Sequence, residues 1–224
     1  MFQRTRNNII SAVFAVALVI LIISVSIGLP IYTRSFYYAH VDILNMPENT
    51  GYTRDEIIDA YDEMMDYLTI DGNEFGTGIL EYSEEGKAHF EDCKFLFDLN
   101  RNALLLSLVT VVLLIVLDKK GVITLARPCG LRMSFWSGIC TLVGFLGLGI
   151  VCAANFDTAF TTFHKIFFPG KDNWMFNSRL DQIILAMPST FFMRCAILIA
   201  SSIILISLLF VLLGVAYKGK KKKL

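Results

Sequence analysis

The chain has 224 residues, 55% of them hydrophobic, and 20 Lys+Arg balance 20 Asp+Glu to a net charge of zero. Apolar residues gathered in long runs exclude an ordinary soluble domain, and the acidity of the two long polar segments excludes a nucleic-acid binder, which needs a basic surface to neutralise phosphates. Five cysteines without CxxC spacing or a Cys/His pattern give neither a disulfide framework nor a metal signature.

Four apolar runs, 9–29, 103–117, 134–154 and 191–216, cut the chain into five polar pieces. The N-terminus, the piece 118–133 and the tail 217–224 hold eleven Lys/Arg and one acid, Asp118. The pieces 30–102 and 155–190 hold nineteen acids against eight Lys/Arg. Short basic loops stay on the cytoplasmic side. The expectation is therefore a single integral membrane domain: an all-α, four-transmembrane-helix bundle with both termini cytoplasmic and a small helical extracytoplasmic domain. The spans are placed at 9–29, 98–117, 134–154 and 191–216, joined by outer loops 30–97 and 155–190 and an inner loop 118–133. All three histidines, His40, His89 and His164, then fall outside.

Arg4 and Arg6 precede an apolar stretch too long for a signal-peptide core of about 7–15 residues, so the first run is read as a retained helix. His40 follows it among tyrosines and is read as interfacial. Thr53-Arg54-Asp55-Glu56 is a capping box. Behind it Ile57, Tyr61, Met64 and Leu68 recur at helical spacing, which predicts an amphipathic helix over 54–68 lying on the outer membrane surface. Gly76 and Gly78 bracket a short extended piece ending at Tyr82.

Ser83 can cap a second helix that Glu84 and Glu85 suit by charge, and nothing breaks it before Leu117. Lys94 and Arg101 would snorkel outward where that helix enters the bilayer. The third helix continues past Ala154 as an aromatic stripe, Phe156, Phe160, Phe163 and Phe167, and stops at Pro169-Gly170. Gly138, Gly144, Gly147 and Gly149 permit close helix packing within it. Trp174 suits an interfacial belt, Leu180–Met187 reads as a short interfacial helix, and Pro188 can open the last span. The lysines Lys218 and Lys220 to Lys223 form a stop-transfer anchor that also favours anionic lipid. Cys152 and Cys195 lie at the outer ends of the last two spans, where spacing alone leaves a bridge undecided; packing cysteines are the expectation.

His89 has Glu85, Asp92 and Cys93 within one helical turn, and as a surface histidine among acids it needs no function. His164 interrupts an aromatic run at the membrane surface, where an amphipathic ring is also at home. The pair says more than either, because two outward extensions of spanning helices can meet above the outer leaflet. Asp157 shares a face with His164 two turns away. Arg194, inside the last run, is explained by snorkelling or by holding a lipid phosphate, carboxylate or ester oxygen. No other charge lies within the apolar runs, which argues against an ion or proton pathway. There is no GxSxG elbow, HExxH or phosphate loop.

Lys87-Ala88-His89-Phe90-Glu91-Asp92-Cys93-Lys94 resembles the "His-Leu-x-Asp-Val-Lys/Arg" stretch before the second helix of the bacterial lipoprotein intramolecular transacylase family. Phe163-His164-Lys165-Ile166-Phe167-Phe168, then Trp174, Asp181 and Met187-Pro188-Ser189-Thr190-Phe191-Phe192, resembles the family's segment between helices three and four. Cys93 stands where an aliphatic residue is usual, and Asn177-Ser178 where an acid and a proline are. The resemblance implies an acyltransferase of the bacterial cytoplasmic membrane, multi-pass, with its site facing outward. It moves the sn-2 acyl chain of a diacylglyceryl lipoprotein to that lipoprotein's own N-terminal amine, giving the lyso-form. His89 is expected as general base and His164 as its catalytic partner. Asp92, Asp157, Arg194 and Trp174 are expected to support or position the substrate. Neither cofactor nor metal is expected; partners are diacylated bacterial lipoproteins and membrane lipid, and the protein is expected to act as a monomer.

Two other classes fit the same residues. A non-catalytic tetraspan assembly partner would use the acidic helix 54–68 to present a docking face. A metal-dependent membrane hydrolase would use His89, Asp92 and His164, without a spacing signature.

Overall fold

The computed structural model describes residues 2–220, which form helices joined by loops and turns, with no strand among them. The elements in chain order are α1 (Phe2–Tyr32), α2 (Arg34–Ile43), α3 (Met46–Thr50), α4 (Arg54–Thr69), α5 (Glu84–Lys119), α6 (Met133–Ala154), α7 (Phe156–Phe167), α8 (Ile183–Ala186) and α9 (Ser189–Lys220). Three helical stretches are long and apolar enough to cross a membrane: Thr5–Tyr32, Glu84–Lys119 and Ser189–Ala216. A fourth apolar stretch, Met133–Gly147, is shorter. The side chain of Cys152 and the last lysines of the tail, Lys221 to Lys223, lie outside the described residues.

The chain forms two compact units. The first comprises Met1–Gly28, Asn100–Val151 and Leu198–Leu224, the apolar parts of the long helices. Phe14, Ala17, Leu18, Ile22 and Val111 are buried together there, with Leu114, Leu125, Met133, Ile206 and Phe210 packed against them. Small residues bring the backbones close. A Cβ on Gly138 would lie 2.7 Å from the Ser207 carbonyl oxygen, and one on Gly214 would lie 2.7 Å from the Phe135 nitrogen. Gly144, Gly147 and Gly149 face open space, so of the four glycines expected to mediate packing only Gly138 does, and Gly214 on α9 supplies the other close approach. The Ser137 hydroxyl donates to the Ala15 carbonyl at 3.2 Å, and Ser11 Oγ accepts from the Ala126 N–H at 2.8 Å.

The second unit comprises Leu29–Leu99 and Cys152–Ile197. The Thr53 capping box forms as its sequence dictates: the Thr53 side chain accepts from the Glu56 N–H, and Glu56 accepts from the Thr53 N–H. The apolar face of α4 is not laid on a membrane. Ile57, Ala60, Tyr61, Met64, Met65 and Leu68 are all buried, covered by α2, α3 and α8. The helices α2 and α3 fall where sequence periodicity is too short to register. Tyr37 is fully buried, stacks on Tyr61 with 3.6 Å between ring centroids, and donates to the Ala186 carbonyl at 2.7 Å. His40 is likewise buried within the protein; its Nδ1–H donates to the Phe36 carbonyl and its ring lies against Phe36 and Phe191. Arg34 pairs with Asp62 and Asp66, and the Tyr38 hydroxyl also donates to Asp62.

Residues 78–80 turn within the segment expected to be extended, and 76–77 and 81–82 are irregular. Gly78 takes φ +57 there, and a Cβ at this position would lie 3.3 Å from the Ala60 backbone, so both the backbone conformation and the space favour glycine. The aromatic stripe after Ala154 is a separate helix: Asn155 leaves helical geometry (φ −157, ψ 98) and its side chain caps the Thr158 N–H at 2.9 Å. The competing Asn cap ends the helix that apolar periodicity alone would have continued.

Candidate active site

Two helices and one loop of the second unit build the site. His89 lies on the second turn of α5, whose start is fixed by Ser83: its hydroxyl oxygen accepts from the Gly86 N–H at 3.0 Å. His164 lies in the last turn of α7. Both are buried, 6% and 7% exposed, and their rings sit 5.7 Å apart at 34°. The sequence placed two histidines on outward helix extensions, and the fold brings them into contact.

Aromatic rings enclose the pair. Phe168 meets His89 edge-on at 4.9 Å and Phe176 does so at 5.4 Å. Trp174 stacks on His164 at 4.6 Å and 28°, and Phe160 lies 4.2 Å from the same ring. Trp174 is thus a wall of the site, half-buried, with its indole N–H donating to the Lys171 carbonyl at 3.0 Å. This apolar shell disfavours charged imidazole. Burial, reinforced by the neighbouring His164, pushes His89 down to about 4 from an ordinary 6.5. Burial likewise lowers His164, against the opposing effect of its bond to Phe160.

Hydrogen bonds fix which nitrogens are free. His164 Nδ1 lies 2.7 Å from the Phe160 carbonyl, an acceptor only, so Nδ1 carries the hydrogen and Nε2 presents a lone pair. His89 Nε2 lies 3.4 Å from Cys93 Sγ, while its Nδ1 is buried with no partner among the described residues. Burial pushes the Cys93 thiol up to about 12, so it stays protonated. Asp92, expected to orient His89, makes no hydrogen bond to it. Its carboxylate accepts from Lys171 Nζ at 2.5 Å and from Asn173 Nδ2 at 3.3 Å. Those bonds outweigh burial and hold its carboxyl below the ordinary carboxylate value. Asp157 is exposed near the start of α7 and makes no contact with His164; the Phe160 carbonyl has the orienting role expected of it. Arg194 is half-buried on α9 with no hydrogen bond or ion pair among the described residues. Lys171, Asn173 and Phe176 carry no local signal in the sequence. Their importance follows only from the loop folding back onto α5.

No group of three His, Cys, Asp or Glu side chains is arranged to hold a metal ion among the described residues.

The sequence profile of the lipoprotein intramolecular transacylase Lit family matches residues 12–192. The chain belongs to the Lit family. No curated protein sequence matches it. Among solved structures, it is similar to the membrane-integral lipoprotein intramolecular transacylase Lit from Bacillus cereus, at 28% identity and a TM-score of 0.87 over 99% of both chains. Two variants of that protein, with a histidine replaced by arginine or by alanine, match at 26% identity and a TM-score of 0.81. They cover 99% of this chain and 96% and 97% of their own. Family membership makes this chain a membrane-integral transacylase.

Proposed function

We propose that this protein moves the sn-2 acyl chain of a diacylglyceryl lipoprotein to that lipoprotein's own N-terminal amine, with His89 and His164 as the catalytic pair. The observation that carries the reading is the buried, aromatic-walled contact of two neutral imidazoles, each with one free nitrogen. In the tautomer whose Nε2–H points at Cys93, His89 Nδ1 is a free base inside the site. The substrate carries nucleophile and ester in one molecule, so no enzyme nucleophile is required and positioning supplies much of the rate.

The amine attacks the ester carbonyl, and His89 Nδ1 takes the proton that the nitrogen sheds in the tetrahedral adduct. His164 cannot polarise the ester while neutral, because its one N–H is spent on Phe160. Its free Nε2 suits the relay of that proton to the departing glycerol oxygen. Imidazoles held below their ordinary pKa give a proton up readily, which favours the second half of the reaction.

The charge pattern supports four membrane spans in the bacterial cytoplasmic membrane, both termini inside and the second unit outside, where the lipoprotein amine and outer-leaflet acyl chains are found. Within α5 the span is 98–117, leaving His89 above it. Arg194, a cation near the start of α9, suits a phosphate or ester oxygen. The test is mass spectrometry of a diacylated lipopeptide incubated with the purified protein: the expected product has the same mass and an N-acylated terminus. An unchanged N-terminus overturns the reading.

A further inference from the structure

Beside the unpartnered His89 Nδ1, one further polar atom of this site is buried without a partner among the described residues: the side-chain oxygen of Asn173. Its orientation is chemically forced. Asp92 can only accept at neutral pH, so the Asn173 amide nitrogen faces it, at 3.3 Å, and Oδ1 points the other way. Asn173 precedes Trp174, which stacks on His164, and Asp92 lies one turn from His89 on α5. In the tautomer whose Nε2–H points at Cys93, His89 Nδ1 is an acceptor as well; buried acceptors without donors are rare and costly in folded proteins, and one donor group with two N–H bonds would satisfy both. A primary amine has two N–H groups when neutral, one for each.

Resting on the transacylase reading, we propose that Asn173 is a substrate-binding residue whose Oδ1 accepts one N–H of the lipoprotein's terminal amine while His89 Nδ1 faces the other. That arrangement aims the nitrogen lone pair at the ester carbonyl. The N–C bond then forms, the C–O bond to glycerol breaks, and the proton lost by nitrogen ends on the glycerol oxygen; no water or oxidant is consumed.

The experiment compares a diacylated lipopeptide with its N-methyl counterpart, whose neutral amine keeps a single N–H, on wild-type protein and on Asn173→Ala. Wild type is expected to convert the primary amine about tenfold or more faster, the worth of one hydrogen bond of about 1.4 kcal/mol. Asn173→Ala is expected to slow the primary amine by a similar factor and the N-methyl amine hardly at all, so the preference collapses toward unity. The ratio is internal to each preparation, so a reduced folded fraction cancels. If Asn173→Ala keeps the full preference, whether or not both rates fall, the assignment is overturned, while the transacylase reading stands on wild-type conversion. If wild type converts neither peptide, the transacylase reading itself fails, and the assignment with it.

Discussion

Asp181 accepts hydrogen bonds from both the backbone N–H and the hydroxyl of Ser83, at 2.9 and 2.7 Å, across 98 residues of sequence. It is only 5% exposed, and it ties the segment before α8 to the start of the helix that carries His89. A Cβ on Gly86 would lie 2.1 Å from the same Asp181 oxygen, so the position excludes a side chain. Asp181→Ala leaves the two part-buried Ser83 donors without this partner, at up to roughly 1–3 kcal/mol each. A lower unfolding temperature in detergent is expected, together with loss of conversion as His89 shifts. Gly86→Ala should do the same. Wild-type stability of Asp181→Ala would show that this tie is dispensable.

Removing either imidazole should cost the acid–base contribution, about 10²–10⁴-fold in rate. His89→Ala and His164→Ala are each expected to lose nearly all conversion of a diacylated lipopeptide while eluting as folded protein. Asp157→Ala, at an exposed residue without contact to His164, should change the rate less than twofold. His40→Ala should act through packing, lowering stability more than turnover. Retention of wild-type turnover by both His89→Ala and His164→Ala would refute the paired mechanism.

Acid should destabilise the fold through His89. Its native pKa is about 4 against 6.5 when free, so between those values the unfolded chain binds the proton and the native one does not. Stability is therefore expected to fall as pH drops from about 6.5 toward 4, and to be insensitive to this group at neutral pH. Thermal unfolding across pH 4–7 checks it: His89→Gln should flatten the slope, and an unchanged slope would place the sensitivity elsewhere.

In the apolar unit the close approach at Gly138 and Gly214 leaves no room for a side chain. Gly138→Leu and Gly214→Val should each destabilise by about 1–3 kcal/mol through overpacking. Gly147→Ala, facing open space, should be neutral or slightly stabilising, since alanine favours a helix by about 1 kcal/mol. Detergent unfolding of the three variants ranks them; equal effects would contradict the packing described.

Cysteines introduced at Asp59 and Asp172 in a cysteine-free background should react with an impermeant thiol reagent in intact cells, as the charge asymmetry requires. Reaction only after the membrane is broken would invert the topology.

The membrane-embedded helices were legible from sequence because each is a one-dimensional signal: a run of apolar residues long enough to satisfy its own backbone in lipid. The capping box at Thr53 and the uninterrupted α5 were legible for a similar reason, since their partners lie within four residues of chain. The two histidines stood out as titratable groups at the ends of apolar helices. What tertiary structure alone decided is every contact between segments distant in sequence. Asp92 was assigned to His89 by proximity along the helix, but Lys171 and Asn173 claim it from 79 and 81 residues away. The apolar face of α4, amphipathic enough for a membrane surface, is buried by α2, α3 and α8 because protein neighbours offer closer packing than lipid headgroups. Periodicity records that a face must be covered, and it carries no information on what covers it.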